Sequence, residues 1–195
     1  MKTQILLTMA LGGLLFACDP SPNREDTKKT TEDQNEERIE ATSSGNVADK
    51  KEDDAEFMIE AASGGMLEVQ LANMALQKGS SPKVKEFAQM MIKDHGKANK
   101  ELKALAASKN ISLPEALIDK HQQVVNDLKD KSGKDFDDAY ISKMKKDHKE
   151  DVEEFEEASQ EATDPEIKAF ATKTLPVLKN HLQHVEQMGV TRENM

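Results

Sequence analysis

The sequence predicts an all-α domain, a bundle of four long helices, preceded by a segment with no core of its own. Three observations carry this. From residue 53 to residue 188 apolar side chains recur with the helical period. The apolar content is mostly Ala, Leu, Met and Val, with 4% aromatics and no Trp, a composition suited to helices packing on helices rather than to sheets. Breaks containing Pro, Gly and Ser cut the periodic region into pieces of helical length.

The first element is a leader. Lys2 is a short positive start, and Ile5, Leu6, Leu7, Met9, Ala10, Leu11, Leu14, Leu15 and Phe16 form an apolar run. The run is shorter than the roughly 20 residues that span a bilayer, so residues 1–17 are expected to be a cleaved signal peptide. It ends Leu15-Phe16-Ala17-Cys18, and Cys18 is the single cysteine of the chain. This resembles the lipobox of bacterial lipoproteins, in which the cysteine is acylated and becomes the mature N-terminus. Acyl chains contribute about 0.8 kcal/mol per buried CH₂. The expected partner of the N-terminus is therefore a membrane, and the expected location is the cell envelope, periplasmic or at the outer membrane. Residues 18–51 follow. Their polar run has almost no large apolar side chain, so they are expected to be a disordered tether.

Residues 52–190 are expected to be the bundle. Helices are predicted over 53–78, 82–109, 114–131, 134–160 and 165–188. Gly79-Ser80-Ser81-Pro82 ends one helix and caps the next. Ser112-Leu113-Pro114-Glu115 has capping-box spacing, Ser132-Gly133 stops the short third helix, and Thr163-Asp164-Pro165 repeats the cap-plus-proline device. The stretch from Ser81 to Ala88 matches that from Asp164 to Ala171 in character, so the domain reads as two helical hairpins. Two hairpins joined by a long crossover make the ferritin-like arrangement of a four-helix bundle.

Each long helix sets a polar residue on its apolar stripe. These are Glu68 on the first, His95 on the second, His148 on the fourth and His181 on the fifth. Counted from the hairpin turns at the helical rise, all four lie within roughly 5 Å of one height. Buried polar groups must be paired. A metal held by imidazoles and a carboxylate does this, with copper or zinc as the ions imidazole suits. So does a hydrogen-bonded network that only sets packing. Tyr140, Asp137 and Asp151 share the inner stripe of the His148 helix and are expected beside the four. Met91 and Met144 stand four residues before His95 and His148, and His184 four before Met188. Thioether with imidazole suits copper, although Met is also an ordinary core filler. The Glu-x-x-His pairs of diiron bundles are missing, since Ile92, Lys145 and Leu178 stand three before the histidines.

The net charge of −10 argues against nucleic acid, because no basic face displaces phosphate counterions. No nucleophile–base pair, phosphate loop or cofactor motif points to an enzyme. The residues leave two readings open: a metal-binding envelope protein, and a structural, interaction or stress-related module with packing histidines.

Several blocks occur in order: Phe57 with Ala61-Ala62-Ser63-Gly64-Gly65-Met66-Leu67-Glu68-Val69, Val84-Lys85-Glu86-Phe87-Ala88, Met91-Ile92-Lys93-Asp94-His95, Leu113-Pro114, Phe136-Asp137 with Tyr140, Asp147-His148, and Leu175-Pro176 with His181-Leu182. Together they resemble the bacterial secreted family known as domain of unknown function 4142. The resemblance implies a ferritin-like bundle in the periplasm or at the outer membrane, with Glu68, His95, His148 and His181 at motif positions. It implies no reaction.

Cys18→Ser is expected to release the protein from the membrane fraction and to abolish acyl-dependent processing. Fractionation and mass spectrometry of the N-terminus check this; membrane retention with unchanged processing contradicts it.

Overall fold

Helix boundaries fall where proline and capping side chains put them. The Ser81 hydroxyl accepts from the Val84 N–H at 3.5 Å, and Asp164 Oδ1 accepts from the N–H groups of Glu166 and Ile167 at 2.8 and 3.3 Å, occupying donors that a helix start leaves unpaired. The computed structural model describes residues 25–193, with side chains from 27 to 188. Cys18 and the expected signal peptide lie outside the described residues.

Six helices follow in order: α1 Glu25–Glu40, α2 Asn46–Lys78, α3 Pro82–Lys109, α4 Asp119–Leu128, α5 Gly133–Glu161 and α6 Pro165–Glu193. The described residues contain no β-strand, and none of their helices is long and apolar enough to cross a membrane. α2 packs on α3 and α5, and α6 packs on α5 and α3, closing a ring of four. The end of α2 at Gly79 meets the start of α5 at Gly133, so the connection through α4 returns along the bundle. This is the two-hairpin, long-crossover arrangement expected of a ferritin-like fold.

Two carboxylates lock the hairpins together reciprocally. Asp137, near the start of α5, accepts from Ser80 N, Ser80 Oγ and Ser81 N at 3.2, 2.6 and 2.9 Å in the α2–α3 turn. Asp54, early in α2, accepts from Thr163 N and Asp164 N at 2.9 and 2.8 Å in the α5–α6 turn. Gly79 admits this approach, because a Cβ there would stand 2.8 Å from Asp137 Oδ1. The expectation that Asp137 sits beside the four central residues is thereby corrected: it shares their stripe, but at the bundle's end, where the exposed amides of a turn claim it.

The tether is also corrected. Residues 25–40 are helical and docked, although almost nothing apolar holds them. Asn35 reads the backbone of Ser112 in both directions, accepting from its N–H at 2.7 Å and donating to its carbonyl at 3.1 Å. Arg38 donates to Asn110 O and Ser112 Oγ at 3.2 and 2.9 Å. Lys28 spans Glu32, Glu56 and Glu60 at 3.3, 3.1 and 2.7 Å. The same contacts explain why α4 starts at Asp119 instead of residue 114. Ser112 gives its N–H, carbonyl and hydroxyl to Asn35 and Arg38 of α1, so its hydroxyl is engaged there and caps no helix.

The core divides into two apolar halves. One gathers Leu71, Ala75, Val84, Phe87, Met91, Phe136, Tyr140, Met144 and Val185 near the α2–α3 turn. The other gathers Phe57, Met58, Leu102, Ala106, Phe155, Ile167, Phe170 and Leu178 near the α5–α6 turn. Along α3, α5 and α6 the histidine falls between the two: His95 between Met91 and Leu102, His148 between Met144 and Phe155, His181 between Leu178 and Val185.

Asn35→Ala is expected to raise amide exchange across α1 about tenfold, since two hydrogen bonds of about 1 kcal/mol are lost or strained, while α2, α3, α5 and α6 stay protected. Unchanged exchange in α1 contradicts the docking. A second outcome concerns Glu154 on α5, whose carboxyl burial pushes up to about 7. A carboxyl with a folded-state value above its unfolded one costs stability progressively as pH rises from the unfolded value to the folded one, and in full above it. Glu154→Gln is expected to raise the melting temperature at pH 8 by about 2 °C or more, with the gain gone at pH 5; an equal shift at both pH values contradicts it.

Candidate metal centre

Glu68, His95, His148 and His181 arrive from α2, α3, α5 and α6 and meet between the half-cores. Their relative exposures are 2%, 6%, 0% and 0%. His95 Nε2 is 3.2 Å from His181 Nδ1, and His148 Nε2 is 3.4 Å from the same atom. Glu68 Oε2 is 2.6 Å from His95 Nδ1, and its Oε1 is 3.3 Å from His148 Nε2. The three imidazoles bring one ligand atom each to within 4.8 Å of one another. The ring of Phe87 lies 6.5 and 6.3 Å from the rings of His148 and His181 and closes the group on the side of the α2–α3 turn.

The outer nitrogens fix the tautomers. His148 Nδ1–H donates to the Met144 carbonyl at 3.0 Å. His181 Nε2–H donates to Asp94 Oδ2 at 3.1 Å. With Glu68 ionised, His95 Nδ1–H donates to its Oε2. The three inner nitrogens, His95 Nε2, His148 Nε2 and His181 Nδ1, then point lone pairs at one another with no proton among them. A cation with coordination bonds of about 2.0 Å, in trigonal or tetrahedral geometry, needs donor separations of about 3.3–3.5 Å. The His148–His181 separation of 3.4 Å falls in that range, and the His95–His181 separation of 3.2 Å falls just below it. With Glu68 protonated instead, its O–H donates to His95 Nδ1 and His95 Nε2–H donates to His181 Nδ1, which relieves the repulsion without a metal.

Burial favours neutral imidazoles. It lowers His95 and His181 to about 4 and puts His148 well below the usual histidine range, so each is ready to act as a ligand at neutral pH. The carboxyls are pushed the other way. Burial and the nearby Asp147 raise Glu68 well above the usual range. Burial and the charge of Glu68 do the same to Asp151, and burial raises Asp147 to about 6. Glu68 Oε1, Asp147 Oδ2, Asp151 Oδ2 and Tyr140 Oη are sealed from solvent without a hydrogen-bond partner. Among the described residues no lysine or arginine forms an ion pair with Glu68 or Asp151. Buried carboxyls and imidazole nitrogens that face one another with no basic side chain among them are satisfied by protons on the carboxyls or by a cation.

Of the residues singled out in the sequence, the structure unites Glu68, His95, His148 and His181, places Asp151 against Glu68, and buries Tyr140 near them, where burial first and then the Glu68 charge raise its hydroxyl's pKa. Met91 and Met144 are fully buried in the upper half-core, and Met144 serves His148 through its carbonyl. His184 is on the surface, with Nδ1–H donating to Asn180 O at 2.9 Å. Two residues the stripe analysis passed over belong here. Asp94 orients His181, and Asp147 is buried within reach of the His95 charge. Their signal is adjacency: each directly precedes a central histidine, about 100° round the helix toward a neighbouring one.

Among solved structures, two share this fold. One, described as CopM in the Cu(I)-bound form, is 21% identical and covers 69% of this chain and 94% of that chain, with a TM-score of 0.59. The other, CopM in the Cu(II)-bound form, is 20% identical with the same coverage and a TM-score of 0.58. No curated protein matches the sequence. The family model described as Domain of unknown function (DUF4142) matches residues 39–188, most of the chain and all four bundle helices through residue 188, and the chain belongs to that family.

Proposed function

We propose that this protein binds copper in the cell envelope, holding Cu(I) between His95, His148 and His181 in a bundle anchored through acylated Cys18. The observation that carries the reading is the convergence of three imidazole nitrogens, His95 Nε2, His148 Nε2 and His181 Nδ1, in a dry interior. Glu68, Met144 O and Asp94 hold their outer N–H groups, as ligand histidines are held in metal sites. Copper(I) is content with three neutral donors and no water. Zinc in a structural site takes four, and here the fourth would have to be Glu68 Oε1, 3.3 Å from His148 Nε2. One protein of the same fold, CopM, is described in a Cu(I)-bound and a Cu(II)-bound form, which supports the choice of metal. The Cys18 motif and the family's secreted character support the location. The ion is cargo: it is bound or buffered, with no reaction assigned to it.

The other reading is a packing network, and the continuous chain from Glu68 through His95 and His181 to Asp94 favours it. The two part in one titration. Full-length protein competing with a chromophoric chelator is expected to withdraw one equivalent of Cu(I) and to melt higher when loaded. His148→Ala is expected to weaken this about a hundredfold. A wild type that withdraws no Cu(I), or an unchanged affinity in His148→Ala, contradicts copper binding here. A metal-independent stability loss of about 1–3 kcal/mol in the variant would then assign the histidines to packing.

A further inference from the structure

His148 has one lone pair and two sets of neighbours able to share a cation with it. Its Nδ1–H is committed to the Met144 carbonyl, so Nε2 is its single ligand atom. That nitrogen faces His181 Nδ1 at 3.4 Å on one side and Glu68 Oε1 at 3.3 Å on the other. Beyond His181 stands His95, giving an all-nitrogen set. Beyond Glu68 stands Asp151, giving a set of one nitrogen and two carboxylates, and Glu68, His148 and Asp151 offer ligand atoms within 4.8 Å of one another. Glu68 is 2% exposed, yet only its Oε2 is occupied, by His95. Its Oε1 faces the lone pair of His148 Nε2, and the Asp151 carboxyl, whose Oδ2 is sealed from solvent, lies close enough to Glu68 to share a proton with it, the proton a cation would replace. Two acceptors at hydrogen-bonding distance with no proton to share repel each other unless a cation or an added proton lies between them.

We propose that Glu68 Oε1, His148 Nε2 and an Asp151 carboxylate oxygen form a second cation position, alternative to the three-imidazole one, and that its ion is Cu(II). The proposal rests on the copper reading above and deepens it. Two carboxylates neutralise a buried dication, whereas three neutral imidazoles leave it uncompensated apart from the nearby Glu68. Carboxylate oxygen is the harder donor and suits the harder oxidation state. Because both sets need the same lone pair, they exclude each other. One ion occupies the bundle, and its oxidation state on arrival selects the side of His148 on which it sits. Glu68 serves both states, orienting His95 through Oε2 and binding the ion through Oε1.

The test uses full-length protein with one equivalent of Cu(II), read by electron paramagnetic resonance, together with Cu(I) and Cu(II) competition titrations of wild type and Asp151→Asn. The expected wild-type spectrum has coupling to one imidazole nitrogen on an otherwise oxygen-ligated ion. Asp151→Asn is expected to weaken Cu(II) about tenfold or more and to leave Cu(I) within about twofold. A three-nitrogen spectrum in the wild type overturns the proposal, as does a variant that binds Cu(II) unchanged or loses both ions equally. The wild-type spectrum decides even if the variant fails to fold. A wild type that shows the one-nitrogen spectrum but withdraws no Cu(I) from the chelator ends the three-imidazole reading and spares this position.

Discussion

Four side chains that accept hydrogen bonds face one another in the driest part of the bundle, and the packing above and below accommodates them. Leaving a buried polar group unpaired costs about 1–3 kcal/mol, more when it is charged. Here the acceptors outnumber the donors directed at them: three imidazole nitrogens and Glu68 Oε1 point inward, with Asp147 Oδ2 and Asp151 Oδ2 sealed close by. Only a proton or a cation satisfies such a group. The core is accordingly split, with a Phe- and Met-rich half toward the α2–α3 turn and a second aromatic half toward the α5–α6 turn. Phe87, at the boundary, packs against both His148 and His181.

The polar layer works only if the four helices keep their heights. A slide of one turn moves a ligand by about 5.4 Å, more than the separations within the site. Asp54 and Asp137 prevent that slide. Each belongs to the first helix of one hairpin and binds the turn of the other, so the hairpins are pinned at opposite ends. Asp94 and the Met144 carbonyl then set the rotation of His181 and His148, and Glu68 sets that of His95. Register and ring orientation thus come from separate interactions, one set at the bundle ends and one in its middle.

Much of this was legible in the sequence because it follows from helical geometry. The stripes of α2, α3, α5 and α6, the Ser81-Pro82 and Asp164-Pro165 starts and the common height of Glu68, His95, His148 and His181 need only periodicity and rise. What escaped does not follow from periodicity. α1 has no apolar stripe and docks through Asn35, Arg38 and Lys28, contacts that exist only once the folded crossover brings Ser112 beside it. α4 starts at Asp119, after Ser112 has given its hydroxyl to Arg38 of α1. Asp137 lies on the right stripe at the wrong height, where turn amides claim it. Asp94 and Asp147 lie off the stripe and matter because a neighbouring helix carries a histidine to them.

The central claim is that three imidazole nitrogens, and no sulfur, surround Cu(I). X-ray absorption at the copper edge of the Cu(I)-loaded full-length protein tests it most directly. The account requires a shell of three nitrogens at about 2.0 Å with the outer-shell scattering of imidazole rings. A sulfur shell at about 2.3 Å, which would bring Met91 or Met144 into the site, or a nitrogen and oxygen shell without imidazole scattering, would contradict it.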